Sequence, residues 1–178
     1  MEYKSFAFDL NAIEEDGRFQ GYAATFGNVD LGGDVIVPGA FTRTLLETGG
    51  RVPILDHHNP DRQIGWNLTA QEDARGLFVT GQLDLNVQTA RERHSLMKLA
   101  RQVGGRSGLS IGFQTVDAEM DAHDPSVRHL IEVELMEYSL VTFPMNPQAA
   151  VTTVKQGGPL LQALMRLHSA VRPSAFAH

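Results

Sequence analysis

The stretch from residue 76 to residue 116, GLFVTGQLDLNVQTARERHSLMKLARQVGGRSGLSIGFQTV, decides the fold class. Residues 76–85 are rich in apolar and β-favouring residues, which predicts a strand. Over residues 86–103 the apolar residues recur at helical spacing, which predicts the longest helix of the chain, closed by a pair of glycines. Residues 108–116 return to the β pattern. A helix is therefore inserted between strands.

The rest of the chain extends this mainly β pattern. Strands are predicted over residues 51–58 and 129–141, and a short helix over residues 40–48. Two aromatic segments near the N-terminus flank the turn-forming residues 15–17, which predicts an opening antiparallel hairpin. Because helices do not alternate regularly with strands, a doubly wound parallel sheet is disfavoured. The expected fold class is α+β, mainly β: an antiparallel β-barrel, closed or partly closed, flanked by helices.

The length of 178 residues corresponds to one domain with a substantial core. Towards the C-terminus, residues 155–159, KQGGP, are typical of a linker. The residues that follow place an apolar stripe on a predicted helix (Leu160, Leu161, Leu164, Leu167 and Val171). We expect a main domain over residues 1–154 and a linker with an amphipathic helix over residues 155–178. That helix either docks on its own domain or contacts a partner chain.

The composition excludes several classes of protein. With 42% hydrophobic and 20% charged residues the chain is neither disordered nor fibrous. It has no cysteine, which excludes a disulfide framework, a thiolate zinc site and a thiol nucleophile. A net charge of −6 argues against a general nucleic-acid binder. Since neither a signal peptide nor an apolar run of ~20 residues is evident, we expect a soluble chain that is neither secreted nor membrane-bound.

A serine with catalytic potential lies in residues 108–113, GLSIGF. Strand alternation puts Ser110 and Gly112 on one face and the apolar residues on the other. A small hydroxyl beside a glycine leaves room for a ligand. The preceding residues 104–108, GGRSG, could supply turned backbone N–H groups for an oxyanion. A lone serine on a strand is more often structural, so this pattern alone assigns no function.

Two adjacent histidines lie in residues 51–65, RVPILDHHNPDRQIG. In a regular strand His58 would share a face with Asp56, and His57 would lie on the other face, so both histidines could not point into one site. The cluster is compatible with a solvated strand end closed by Asx turns. It is also compatible with a metal site, although no HExxH-like spacing supports one. Such a site would need Asp56, one of these histidines and a third ligand from elsewhere (His94, His123 or His129).

Glu137 interrupts an apolar row in residues 129–141, HLIEVELMEYSLV. The odd-numbered positions share one face of the predicted strand, and Glu132 and Glu134 share the other. A carboxylate within an apolar row must be paired, neutralised or displaced, because an isolated buried charge is costly. Either a bulge puts Glu137 into solvent, or its carboxylate orients a histidine.

Ser110, His58 and Glu137 meet the chemical requirements of a Ser–His–acid set. Such a set needs a hydroxyl nucleophile, an imidazole with a pKa suited to proton transfer at neutral pH, and an acceptor that fixes the imidazole tautomer. Their spacing in the sequence does not show whether they meet in space.

Five segments, in this order, resemble the prohead (capsid maturation) serine protease family of tailed bacteriophages. They are GYAATFGNVDLGGDVIVPGAF (21–41), VPILDHHNPDRQIGW (52–66), GLFVTGQL (76–83), GRSGLSIGF (105–113) and VELMEYSLVTFPMNPQA (133–149). The resemblance runs from about Phe6 to Val151. Each segment alone is weakly diagnostic, whereas five in sequence are specific.

The resemblance implies a fold similar to that of herpesvirus assemblin and makes residues 1–154 a protease domain. It implies a serine endopeptidase that acts inside the immature capsid, in the host cytoplasm, without a metal or another cofactor. The implied partners are the major capsid protein and the scaffold protein, with neither nucleic acid nor membrane involved. Family members cut the scaffold protein or a scaffold-like N-terminal segment of the capsid protein, and often themselves. A homodimer is also compatible with the resemblance.

The family's motifs assign roles to individual residues. The serine of the SIGF motif is Ser110, which is implied to be the nucleophile. The family's histidine precedes a polar-Pro-x-x-x-[IL]-Gly stretch, which selects His58 as general base over His57. The E-x-S-L-V segment implies Glu137 as the orienting acid, with Glu134 as the alternative. The resemblance assigns no oxyanion-hole residues.

A non-enzymatic function is the alternative. Residues 88–106 carry five basic side chains and one acidic side chain, a net charge of +4. A catalytically inactive β-barrel could use this basic helix and the terminal apolar helix to bind capsid or scaffold protein. Such a module would leave its partners uncleaved.

Overall fold

A computed structural model describes residues 2–7 and 16–143 of the chain. The predicted linker and terminal helix at residues 155–178 lie outside the described residues. The described part forms the following elements in chain order: β1 (Glu2–Ala7), β2 (Arg18–Thr25), β3 (Asp34–Ile36), α1 (Thr42–Thr48), β4 (Pro53–Asp56), β5 (Asn59–Glu72), β6 (Gly76–Leu83), α2 (Gln88–Gln102), β7 (Gly108–Met120) and β8 (Arg128–Val141).

All eight of these strands belong to one curled sheet. Seven of them are hydrogen-bonded in the order β1-β7-β8-β4-β5-β6-β2, and β3 pairs with β8. The two end strands, β1 and β2, also approach each other, so the sheet curls towards closure. The expected mainly β fold with flanking helices is therefore confirmed. The sheet is not purely antiparallel, because β3 and β4 both run parallel to β8.

The predicted opening hairpin is wrong. β1 pairs with β7, from Glu2 opposite Phe113 to Ala7 opposite Gly108, whereas β2 pairs with β6. The two strands thus lie at opposite ends of the sheet order. A turn signal predicts only that the chain reverses locally. Which strand becomes a neighbour depends on long-range pairing that buries the apolar face.

Strand β5 is longer than its sequence indicates. Residues 59–65 looked like a polar strand end, yet the strand runs to Glu72 and pairs with both β4 and β6. Most of its side chains are exposed, and only Ile64, Gly65 and Asn67 are buried. A strand with one short buried segment lacks the apolar alternation by which strands are recognised.

Both predicted helices are present and pack against strands of the sheet. α1 ends at Gly49, whose φ of 62° is the left-handed conformation typical of a helix C-terminus. α2 packs on the core through Ala90, His94 and Met97. Within the described residues, neither helix is long and apolar enough to span a bilayer.

The core fills the interior of the curled sheet with large side chains from several strands. Tyr138 of β8 is fully buried, and its ring meets Phe19 edge to face at 6.4 Å between centroids. Its hydroxyl donates to Asn67 Oδ1 at 3.0 Å. Burial raises the pKa of Tyr138, so the phenol stays protonated. These contacts anchor β8, the strand on which most of the site described below is built.

Candidate active site

The adjacent histidines occupy a tight turn. β4 ends at Asp56 and β5 begins at Asn59, and these two residues are paired across the hairpin. His57 and His58 are therefore the two central turn residues, with φ of 53° and 58°. A two-residue hairpin of type I′ requires positive φ at both central positions. The face assignment based on strand alternation was wrong, because the strand ends before the histidines and their side chains diverge.

Strand β8 holds this turn from one side. The backbone N–H of His57 donates to the carbonyl of Leu140 at 3.2 Å. The backbone N–H of His58 donates to Ser139 Oγ at 2.9 Å. Residues other than glycine are uncommon at positive φ, so these bonds help to stabilise a conformation that a histidine adopts at a cost in free energy.

The imidazole of His58 reaches the predicted nucleophile. Ser110 lies on β7, and it is not part of the core cluster that contains its neighbours Leu109 and Ile111, as alternation predicted. His58 Nε2 lies 2.6 Å from Ser110 Oγ. This distance is within the range needed for a general base to take the hydroxyl proton.

A β-bulge brings Glu137 to the same place. Gly112 is opposite Glu137 and Phe113 is opposite Leu135, so Met136 is an extra residue in β8. Because Gly112 and Phe113 face opposite sides of the sheet, Glu137 and Leu135 do too. One of the two alternatives left open by the sequence was a bulge that moves Glu137 into solvent. Instead it takes Glu137 out of the apolar row and onto the Ser110 face, where the residue is only 3% exposed.

The Glu137 carboxylate completes a line of three groups. Its Oε1 lies 2.6 Å from His58 Nδ1. A carboxylate accepts hydrogen bonds only, which favours the tautomer with a hydrogen on Nδ1 and leaves Nε2 free to accept from Ser110. The alternative acid, Glu134, is exposed and lies opposite Gln114. Of the two glutamates, Glu137 is the one that contacts His58.

Gly112 makes room for this carboxylate. A Cβ atom built on Gly112 would overlap Oε1 of Glu137 and lie 2.9 Å from its Cδ. The space beside Ser110 that was predicted to accommodate a ligand is therefore occupied by a side chain of the protein itself. Sequence reasoning missed this role of Gly112, because nothing local indicates which side chain from β8 will cross the glycine.

Ser139 is a second residue that sequence reasoning left without a role. It is fully buried and lies directly opposite Ser110 on the neighbouring strand. Its hydroxyl accepts the His58 N–H and donates to Glu137 Oε2 at 2.8 Å. The available signal was its position two residues after Glu137, on the same face of β8.

His57 belongs to a different cluster. Its Nδ1 lies 2.9 Å from Asp56 Oδ1, which also accepts from Arg93 Nε at 2.6 Å. Arg62 Nη1 approaches the other carboxylate oxygen at 3.3 Å. Burial raises the pKa of Asp56. Hydrogen bonds from His57 and Arg93 and the charge on Arg93 lower this pKa by more than burial raises it, so it lies below its ordinary value. This cluster ties α2 to the hairpin turn through the Arg93 guanidinium.

The metal-site interpretation finds no matching cluster in the part of the chain that the structure describes. Among residues 2–7 and 16–143, no group of three or more histidine, aspartate or glutamate side chains is placed to hold a metal ion. Asp56 lies within the arginine–histidine cluster, and His129 of β8 lies 2.9 Å from Asp121, which follows β7.

The site is nearly closed to solvent. Ser110 has no exposed surface, and the side chain of His58 is 16% exposed. The three groups can carry out nucleophilic attack assisted by general base catalysis, with the acid holding the imidazole in register.

Comparisons with known proteins identify the family of the chain. A family model described as caudovirus prohead serine protease matches residues 6–161. The prohead protease of Enterobacteria phage HK97 is 34% identical over 160 residues, which cover 85% of this chain and 68% of that protein. The capsid polyprotein of Pseudomonas phage PAJU2 is 28% identical over 149 residues, which cover 83% of this chain but 21% of that protein.

A solved structure supports the fold alone. The capsid assembly protease of bacteriophage T4 superposes with a TM-score of 0.55 at 6% sequence identity, covering 78% of this chain and 95% of that chain. The family resemblance drawn from the sequence segments is confirmed by the family match.

Proposed function

The chain belongs to the caudovirus prohead serine protease family and is a serine peptidase with a role in capsid maturation; from that premise we propose that Ser110, His58 and Glu137 form its catalytic triad. The observation that carries the proposal is the continuous line from Ser110 Oγ through both imidazole nitrogens of His58 to Glu137 Oε1, with two contacts of 2.6 Å. His57 is proposed to have no part in proton transfer, because its ring contacts Asp56.

In the proposed reaction, His58 Nε2 takes the hydroxyl proton as Ser110 Oγ attacks a peptide carbonyl carbon. The new C–O bond gives a tetrahedral oxyanion, which backbone N–H groups stabilise; the glycine-rich residues 104–108, which lead into β7, are the proposed source. His58 then protonates the leaving amine nitrogen as the C–N bond breaks. Water, deprotonated by the same imidazole, hydrolyses the acyl-enzyme.

Glu137 is proposed to act on the imidazole rather than on the substrate. Its carboxylate accepts the Nδ1 hydrogen and so keeps Nε2 available as the base. When His58 becomes imidazolium, the adjacent negative charge stabilises it in a site largely shielded from water.

The proposed substrates are the scaffold protein, the scaffold-like N-terminal segment of the major capsid protein, and the protease itself. The family supports a capsid substrate, and so does the similarity to a capsid polyprotein that carries a related stretch within a longer chain. We place the reaction inside the immature capsid, assembled in the host cytoplasm. A homodimer is part of the same proposal.

Intact-mass spectrometry tests the assignment of the nucleophile. The native chain, a Ser110→Ala variant and a Ser95→Ala control, which changes an exposed serine on α2, are each co-expressed with the capsid and scaffold proteins of the same genome. Defined mass losses in the partners with the native chain and the control, and none with Ser110→Ala, are expected. Cleavage by Ser110→Ala would exclude this nucleophile. Full-length partners in every sample, despite confirmed assembly, would favour the inactive binding module.

A further inference from the structure

Ser139 links the proposed base and the proposed acid through one buried hydroxyl. Its Oγ lies 2.9 Å from the backbone nitrogen of His58 and 2.8 Å from Oε2 of Glu137. The His58 N–H can only donate and the carboxylate can only accept, so the hydroxyl accepts one bond and donates the other. The direction of both bonds is therefore fixed by the chemistry of the two partners.

The bond from His58 acts on the hairpin turn. His58 has a φ of 58°, a conformation that residues other than glycine seldom adopt and that the surrounding structure must stabilise. The imidazole reaches Ser110 from that conformation. With Ser139 Oγ removed, the His58 N–H would lose this acceptor and the turn would lose one of the two backbone N–H bonds that it donates to β8.

The bond to Glu137 acts on the carboxylate. Oε1 contacts His58 Nδ1, and Oε2 accepts from Ser139. Two hydrogen bonds, one to each oxygen, define the plane of the carboxylate as well as its position. Without the Ser139 hydroxyl the carboxylate could rotate about its last side-chain bond and move Oε1 away from the imidazole.

We propose that Ser139 is a positioning residue of the peptidase, which holds the His58 backbone and the Glu137 carboxylate in register through the same oxygen atom. It does not contact the substrate in this role. The inference rests on the proposed triad, and its test is arranged so that the two can fail separately.

Thr44 offers a matched control for a purely structural hydroxyl. It is 1% exposed, and its Oγ1 accepts the backbone N–H of Leu135 at 3.1 Å. Like Ser139, Thr44 has a buried hydroxyl that accepts a backbone N–H. Its donor, Leu135, lies on β8. The control Thr44→Val removes that acceptor at nearly constant volume and removes none of the hydrogen bonds among Ser110, His58, Glu137 and Ser139.

The experiment measures kcat and KM on a synthetic peptide that spans a cut site mapped with the native full-length chain. It also measures the rate at which a fluorophosphonate probe labels the chain, followed by intact mass. Ser139→Ala should lower kcat about 10- to 100-fold with KM little changed, because misplacing a catalytic group by about 1 Å costs up to about 100-fold. Labelling should slow in parallel. Ser139→Thr, which keeps the hydroxyl, should recover most of the rate. If the threonine variant fails to fold, the Ser139→Cys variant is used in its place.

Thr44→Val should lower the thermal unfolding temperature but change kcat by less than about twofold, since it leaves the catalytic positions intact. A Ser139→Ala variant that keeps kcat and labelling within about twofold, beside an inactive Ser110→Ala, would overturn the inference and leave the proposed function standing. A Ser110→Ala variant that is still cleaving and still labelled would overturn the triad itself, and the role of Ser139 with it.

Discussion

Replacing Gly112 with alanine tests whether the Glu137 carboxylate must occupy its observed position. The new methyl carbon would overlap Oε1 and lie 2.9 Å from Cδ and 3.1 Å from Cγ of Glu137. Ordinary contact between such atoms needs about 3.5 Å or more, so the carboxylate must move by about 1 Å. A displacement of that size stretches the 2.6 Å contact with His58 Nδ1 beyond hydrogen-bond range.

The expected cost is larger for catalysis than for folding. Loss of the oriented imidazole should lower kcat/KM about 100-fold, which corresponds to about 2.7 kcal/mol in the activation free energy. Overpacking a buried site typically costs about 1–3 kcal/mol in the free energy of unfolding. For a chain of this length, each kcal/mol lowers Tm by about 2–4 °C. The variant should therefore remain folded and largely inactive.

Peptide cleavage and thermal unfolding are measured together on Gly112→Ala and on a Gly49→Ala control. A Cβ on Gly49 would meet no atom within 4 Å, but its left-handed φ of 62° strains any residue with a side chain, so this control should lose stability but keep its activity within a fewfold. Combining Gly112→Ala with Glu137→Asp shortens the acid by one methylene and should restore part of the rate. If Gly112→Ala cleaves at the native rate, the carboxylate does not act through His58 as described.

Three further outcomes are expected. His58→Asn should abolish cleavage, whereas His57→Asn, which also tolerates positive φ, should keep it within a fewfold in the same peptide assay; the reverse result would transfer the base to His57. Glu137→Gln should lower kcat by up to about 10⁴-fold, because an amide can donate to Nδ1 and so favour the wrong tautomer; an unchanged kcat would remove the acid from the mechanism. Burial raises the pKa of Asp56, but hydrogen bonds from His57 and Arg93 bring this pKa below its ordinary value. The ionised Asp56 therefore contributes fully to stability above the unfolded pKa of about 3.9, and this contribution is lost as the pH falls through the lower pKa of the folded state. Asp56→Asn should therefore reduce the difference in Tm between pH 7 and pH 3 relative to the native chain, and an equal difference in the two proteins would contradict the pKa assignment.

The sequence predicted those parts of the site that depend on local periodicity. Alternation along β7 placed Ser110 on the face opposite Leu109 and Ile111; in the structure these two leave the face of Ser110 for the core cluster, and Ser110 contacts His58. The same reasoning identified Glu137 as a charged residue that interrupts an apolar row. These predictions succeed because the period of a strand follows from its backbone geometry alone.

The failed predictions concern places where the chain departs from a regular period. His57 and His58 lie in a turn with positive φ, without the glycine that usually signals such a turn. Met136 forms a bulge whose position depends on the register with β7. The turn carries no glycine to signal it, and the position of the bulge depends on pairing with β7, which is distant in the sequence. The same limit explains the wrong hairpin between β1 and β2.

One strand sets the geometry of the whole site. β8 runs parallel to β4, with Asp56 opposite Leu140, so the hairpin turn that follows β4 emerges beside Ser139 and Leu140. β8 runs antiparallel to β7, so Ser110 returns to the same level, opposite Ser139. A parallel and an antiparallel neighbour thus bring the proposed base and nucleophile to the same point of the central strand. The bulge at Met136 turns Glu137 towards that point.

The positions of all three groups depend on β8. A small error in the register of β8 would therefore separate the groups by several ångströms, whereas catalysis tolerates about 0.5 Å. This sensitivity explains why the strand is anchored in the core by Tyr138 directly between Glu137 and Ser139.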